Sequence, residues 1–217
     1  MRLLATAGAI IALAVSAVGC SPKSTDYTSV WSSSSTTTTT TTTTPDKPVP
    51  LSQYLDSIGV TGHQVAPSAL TDLTVSIPTP AGWSSSTNPN ITPETVMVSK
   101  GGKYPTARLV VFELHGPFDP AQVIKHGNDD AQLFENFHQL DASGTPFNGF
   151  PSSMIQGSYE LNGTRLHSWN RIVIPTGKPP ANQRYLVQLT ITSLADQAVT
   201  QSTDIEAIIR GFVVAAK

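Results

Sequence analysis

Residues 51–217 predict an α+β domain, a mostly antiparallel sheet flanked by helices. Three patterns predict it. Apolar residues recur at every second position at Leu73, Val75 and Ile77, and again at Tyr185, Val187, Leu189 and Ile191, which is strand spacing. Asn162-Gly163 lies between two further strand-like segments and is a strong hairpin signal, because both residues tolerate positive φ. Helical spacing is confined to the start, the middle and the end of the domain.

In chain order, Leu51, Tyr54, Leu55 and Ile58 fall at i, i+3, i+4, i+7 and predict a short amphipathic helix that stops at Gly59. Leu73 to Ile77 predicts a half-buried strand ended by Pro78 and Pro80, after which Ala81-Gly82-Trp83 turns the chain. Strands are expected at about Thr95 to Ser99 and Arg108 to His115, joined by a turn at Lys100-Gly101-Gly102-Lys103, and the second is apolar enough to be central. Asp119 as N-cap and Pro120 at the first helical position predict a helix running to about His138, with Val123, Ile124, Ala131, Phe134 and Phe137 facing inward. Gly127-Asn128-Asp129-Asp130 is a run of poor helix formers, where that helix is expected to kink or break in two. Met154 to Leu161 and Thr164 to Ile174 make the hairpin. Tyr185 to Thr192 adds a strand in which Leu186, Gln188, Thr190 and Thr192 alternate with the apolar set. Ile205, Ile208, Ile209 and Phe212 share one face of a closing helix.

Ahead of the domain, Arg2 and the uncharged run Leu3 to Val18 predict a secretory signal over residues 1–19, since a membrane-spanning helix needs roughly 20 apolar residues. Ala17-Val18-Gly19-Cys20 resembles a bacterial lipobox, although Ala17 stands where leucine is commonest. Cys20 is the only cysteine, so no intrachain disulfide is available, and its place after an apolar run points to lipid attachment. Cleavage before it leaves Cys20 as the new N-terminus, carrying a thioether-linked diacylglycerol on its thiol and an amide-linked acyl chain such as palmitate on its amine. Each buried CH2 contributes about 0.8 kcal/mol, so the expected location is outside the cell, anchored to the outer face of the cell membrane. Residues 20–50 follow, with Ser32 to Ser35, a threonine run from Thr36 to Thr44, and Pro45, Pro48 and Pro50. They have little to bury against a backbone ordering cost of about 1–2 kcal/mol per residue, which predicts a disordered tether. From Ser21 to Pro50 it spans about 30 Å root-mean-square, as a bare spacer or an O-glycosylated one.

The opening PLSQYLDSIGVTG, the segment LTDLTVSIPTPAGW, the stretch FDPAQVIKHGNDDAQLFENF, the strand pair GFPSSMIQGSYELNGTRLHSWNRIVIP and the ending DIEAIIRGFVVAAK, together with the lipobox and tether, resemble the LpqN/LpqT lipoproteins of mycobacteria. The resemblance covers nearly the whole chain. It implies a Mog1/PsbP-like single domain, an antiparallel sheet covered by helices, in a family whose members are not established enzymes; with no catalytic motif found, no enzymatic activity is expected. For the related LpqN it implies interaction with host ubiquitin-ligase machinery, and it supplies no functional-residue motif to carry over.

The formal charge of −2 and the lack of any Lys/Arg block exclude the electrostatic footprint of a nucleic-acid binder. His63, His115, His126, His138 and His167 show no His-x-x-x-His or Glu-x-x-His spacing; if a metal site is assembled in space, His126, Asp129 and Asp130 are its candidates, the plainer reading being solvated polar groups. No cofactor motif is present. Serines are many but none sits in Gly-x-Ser-x-Gly, and Gln156-Gly157-Ser158-Tyr159 reads as strand. Gly101-Gly102-Lys103 lacks the length and the following Ser/Thr of a phosphate-binding loop. Asp129, Asp130, Glu135, Asp141 and Glu160 offer carboxylates without geometry, so no pair is nominated for glycoside hydrolysis. Trp83, Phe147, Phe150 and Trp169 are the candidate interaction surface, with core packing the more frequent fate of the two tryptophans. The expected function is binding, to a protein partner or an envelope lipid. A carrier of apolar lipids is the alternative and requires a cavity lined by residues such as Phe112, Phe134 and Phe137. A hydrolase would require Ser, His and Asp to converge.

Overall fold

The computed structural model describes residues 47–217, so the signal segment, Cys20 and most of the tether lie outside the described residues. The chain runs α1 (Leu51–Ser57), β1 (Thr61–Gln64), β2 (Leu73–Ser76), β3 (Ser84–Ser85), β4 (Val96–Ser99), β5 (Thr106–His115), α2 (Pro120–Val123), α3 (Asp129–Gln132), β6 (His138–Ser143), β7 (Ser152–Leu161), β8 (Thr164–Val173), β9 (Arg184–Leu194), α4 (Ser202–Arg210) and β10 (Val213–Ala216). This is the expected α+β class: one antiparallel sheet ordered β3-β4-β5-β9-β8-β7-β6, with a few helices. β1 shares the outer edge of β5 with β4, pairing with its last four residues while β4 pairs with its first four. β2 and β10 form a separate two-stranded sheet.

Period-2 alternation sends the side chains of the central strands to two faces, and both faces are covered. Ala107, Leu109 and Val111 of β5 join Val187, Leu189 and Ile191 of β9 beneath α4 and the small sheet, with Ile205, Ile208, Phe212, Leu73 and Val214 above them. On the second face Val110, Phe112, Leu114, Ile172 and Leu186 pack against Leu51 and Leu55 of α1 and Val123 of α2. Hence β9 is buried along both faces, where alternation alone suggested one.

The helix expected to run to His138 is not continuous. Asp119 caps α2 through the Ala121 N–H at 2.9 Å, as its side chain predicts. A single 3-10 turn, Ile124–His126, then leads into Gly127, where a Cβ would overlap Ser153 of β7, so the chain packs too closely there for a helix bearing side chains. After α3, Asn136 takes positive φ and the chain enters β6, an edge strand that the sequence reading placed inside or beyond the helix. Phe134 accordingly stacks on Tyr159 with centroids 4.3 Å apart, and Phe137 lies over Gly157 of β7. The hairpin forms as expected, with Asn162 and Gly163 both at positive φ.

Candidate functional site

His126, Asp129 and Asp130 do come together, but around the start of α1. Asp130 accepts the Leu51 N–H at 3.0 Å, and Asp129 accepts the Val49 N–H at 3.4 Å and bonds His126 Nδ1 at 2.9 Å. The His126 ring stacks on Tyr54, 3.8 Å between centroids. Burial pushes the Asp130 carboxyl above its ordinary range, opposed by the Leu51 hydrogen bond. The carboxylates therefore hold backbone, and no group of three His, Cys, Asp or Glu side chains able to hold a metal occurs among the described residues. No histidine side chain among them hydrogen-bonds a serine hydroxyl. His167 instead meets the Gln156 amide at 2.9 Å, and burial lowers its pKa.

Trp83 and Trp169 are both core residues, 6% exposed, which removes them as surface anchors. Trp83 is fixed there by its Nε1–H donating to Asp204 at 3.2 Å. Phe147 and Phe150 are half-buried and close a tight turn with two mutual backbone hydrogen bonds, their Asn148 and Gly149 at positive φ. Phe147 stacks on Phe212 at 5.1 Å, and the Asn148 side chain donates to the Val214 carbonyl.

Beside that turn stands Arg171, a residue the sequence reading did not single out. Its guanidinium sits 5.0 Å from the Phe147 ring centre and 5.5 Å from that of Trp169. Nη1 donates to the Ser152 hydroxyl at 2.9 Å, while Nε is buried without a hydrogen-bond partner among the described residues. Among the described residues no carboxylate pairs with it, whereas Arg165 and Arg184 each hold a backbone carbonyl. Burial lowers its pKa, yet an arginine stays charged. The available signal was its register: alternation on β8 puts Arg171 on the face of Trp169 and Val173, an inward place for a cation.

A second feature lies on the opposite face, where β5 and β9 pass beyond the cover of α1. A pocket of about 220 Å³ is bounded by the loop at Ser86–Ile91, by Lys103 and Tyr104, and by Met97, Thr106, Arg108, Tyr159 and Thr192. Its floor is polar because of register. One cross-strand row runs Met97, Arg108, Thr190, Asn170, and the next runs Ser99, Thr106, Thr192, Ser168. Of the residues behind it, Asn170 accepts from Gln188 and from the Thr190 hydroxyl, at 2.9 and 2.8 Å.

The three phenylalanines expected to line a carrier cavity share no wall. Phe112 packs in the second core, Phe134 on Tyr159, and Phe137 over Gly157. No helix among the described residues is long and apolar enough to cross a membrane.

Comparison with known proteins gives a consistent result. The LpqT lipoprotein of Mycobacterium leprae (strain TN) is 72% identical over 99% of this chain and 97% of its own length. That of Mycobacterium tuberculosis (strain H37Rv) is 65% identical over 100% and 96%. The crystal structure of LpqN, involved in cell envelope biogenesis of Mycobacterium tuberculosis, superposes with a TM-score of 0.63 at 19% identity, over 75% of this chain and 95% of that one, a likeness of fold. These relatives are named as lipoproteins, not enzymes. The model described as "Probable lipoprotein LpqN" matches residues 47–215, and with these relatives it places the chain in the LpqN/LpqT lipoprotein family.

Proposed function

We propose that this lipoprotein is exported, cleaved before Cys20 and anchored by acyl chains to the outer face of the cell membrane, where its domain works by binding a protein partner. Residues 1–19 are the signal and 20–50 the lipidated tether in this reading. The envelope role named for LpqN is consistent with it. The observation that carries the binding role is Arg171, a half-buried cation held between Phe147 and Trp169 with no carboxylate among the described residues to answer it. A partly desolvated guanidinium is costly to leave uncompensated and recovers that cost by donating to an external carboxylate, in the two-point geometry arginine favours. Phe147 and Phe150 supply apolar contact beside it, the aromatic-plus-arginine composition typical of binding hot spots. The partner surface is therefore an acidic side chain flanked by apolar residues.

A photo-crosslinking amino acid at Phe150 in the full-length, membrane-bound protein tests this. Irradiation should yield a discrete protein adduct that Arg171→Gln abolishes and that a probe at Val199, 83% exposed, does not give. An adduct of equal yield in Arg171→Gln, with the fold intact by thermal melt, overturns the assignment, as does the absence of any adduct at Phe150.

A further inference from the structure

We infer that the pocket on the second face is a binding site for a small anionic head group, phosphate or carboxylate, held by Arg108 and Lys103. Among the described residues the two are its only side chains charged at neutral pH, with no Asp or Glu lining it, although the chain as a whole carries 15 acidic against 13 basic residues. Local potential is thus opposite in sign to the net charge of the molecule, the condition that concentrates anions in a cleft. Thr106 and Thr192 face each other across β5 and β9 and offer hydroxyl donors from the floor, and Tyr104 and Tyr159 offer phenolic ones from the walls. Arginine with clustered hydroxyls matches the several acceptor oxygens of an oxyanion, and charge-assisted hydrogen bonds are the stronger kind.

The strand face behind the pocket's lining has spare capacity too. Asn170 is 2% and Gln188 3% exposed, yet Asn170 Nδ2 and Gln188 Oε1 have no hydrogen-bond partner among the described residues. A ligand or a water layer reaching the row Arg108, Thr190, Asn170 would meet a donor and an acceptor left over from the protein's own network. At about 220 Å³ the pocket is smaller than the roughly 300–1,000 Å³ of sites that enclose a whole drug-sized ligand, so the anion enters as a head group with the rest of its molecule outside. The site lies on the other side of the sheet from Arg171, so it is independent of the proposed protein surface.

Calorimetric titration of the full-length acylated protein in neutral detergent, at low salt, tests this. The probes are sodium phosphate, sn-glycerol 3-phosphate and sodium acetate, with glycerol as the uncharged control. Binding of any of the three anions, absent for glycerol and weakened by salt, is the expected result. Arg108→Gln should weaken it by about tenfold or more, the loss of a hydrogen bond from a charged group. Lys103→Gln, at an exposed position where the fold is safe, should weaken it several-fold, and Arg171→Gln should leave it unchanged. Tighter binding to vesicles of phosphatidylglycerol than of phosphatidylcholine, lost in both pocket variants, identifies a lipid source; binding of free phosphate without that vesicle preference identifies a soluble one. No heat with any anion, or affinity unchanged in Lys103→Gln and Arg108→Gln, overturns the assignment.

Discussion

Asp130 sits where the first turn of α1 presents its unpaired N–H groups, and its carboxylate takes the Leu51 N–H there. Burial raises its pKa in the folded chain above the unfolded value of about 3.9, so the folded state binds the proton more tightly. Its stabilising contribution is complete at the acid end and fades as pH climbs from the unfolded pKa through the folded one. Asp130→Asn keeps an acceptor for Leu51 and removes the ionisation. Wild type should therefore lose stability relative to Asp130→Asn between about pH 4 and neutrality, read from urea midpoints at the two ends. A gap independent of pH contradicts this account of the carboxyl. Which aspartates touch backbone is not legible in the sequence, because 80 residues separate Val49 from Asp129. The cap at Asp119 was legible, since its donor is two residues away.

Elements follow the same division between near and far. The Asn162-Gly163 hairpin is specified locally, and Gly163→Ala, at φ +73°, should cost about 1–2 kcal/mol of unfolding free energy. Gly144→Ala, with open space around the new methyl and no positive φ, should change stability by under about 0.5 kcal/mol. Equal effects at the two positions would contradict the turn assignment. β1 (TGHQ), β3 (SS) and β10 (VVAA) carry no alternation of apolar and polar residues, unlike β2 of similar length, and each is set by the strand it pairs with elsewhere in the chain. The helix expected to reach about His138 ends at α3, because Phe134 and Phe137, which fit helical spacing, pack instead on Tyr159 and Gly157, and β6 beyond them carries too little apolar alternation to announce it. The same tertiary logic hid Arg108 and Arg171, whose meaning depends on which face of a strand is covered.

At the scale of the molecule, a sheet buried on both sides leaves two chemically distinct openings, an aromatic-flanked cation on one face and a basic, hydroxyl-lined pocket on the other. Both suit recognition, and under the proposed anchoring at Cys20 both would act within reach of a coil of about 30 Å root-mean-square span. The proposed location rests on a short contiguous motif, Ala17-Val18-Gly19-Cys20, which sequence can carry by itself, whereas a partner is read by surfaces assembled from distant strands and leaves no such local signal. The intact mass of the natural protein extracted from the membrane fraction bears most directly on the account. It should equal that of a chain beginning at Cys20 and carrying a diacylglyceryl group with an added acyl chain. A chain of unmodified mass, whether beginning at Met1 or at a bare amino end further on, would contradict it.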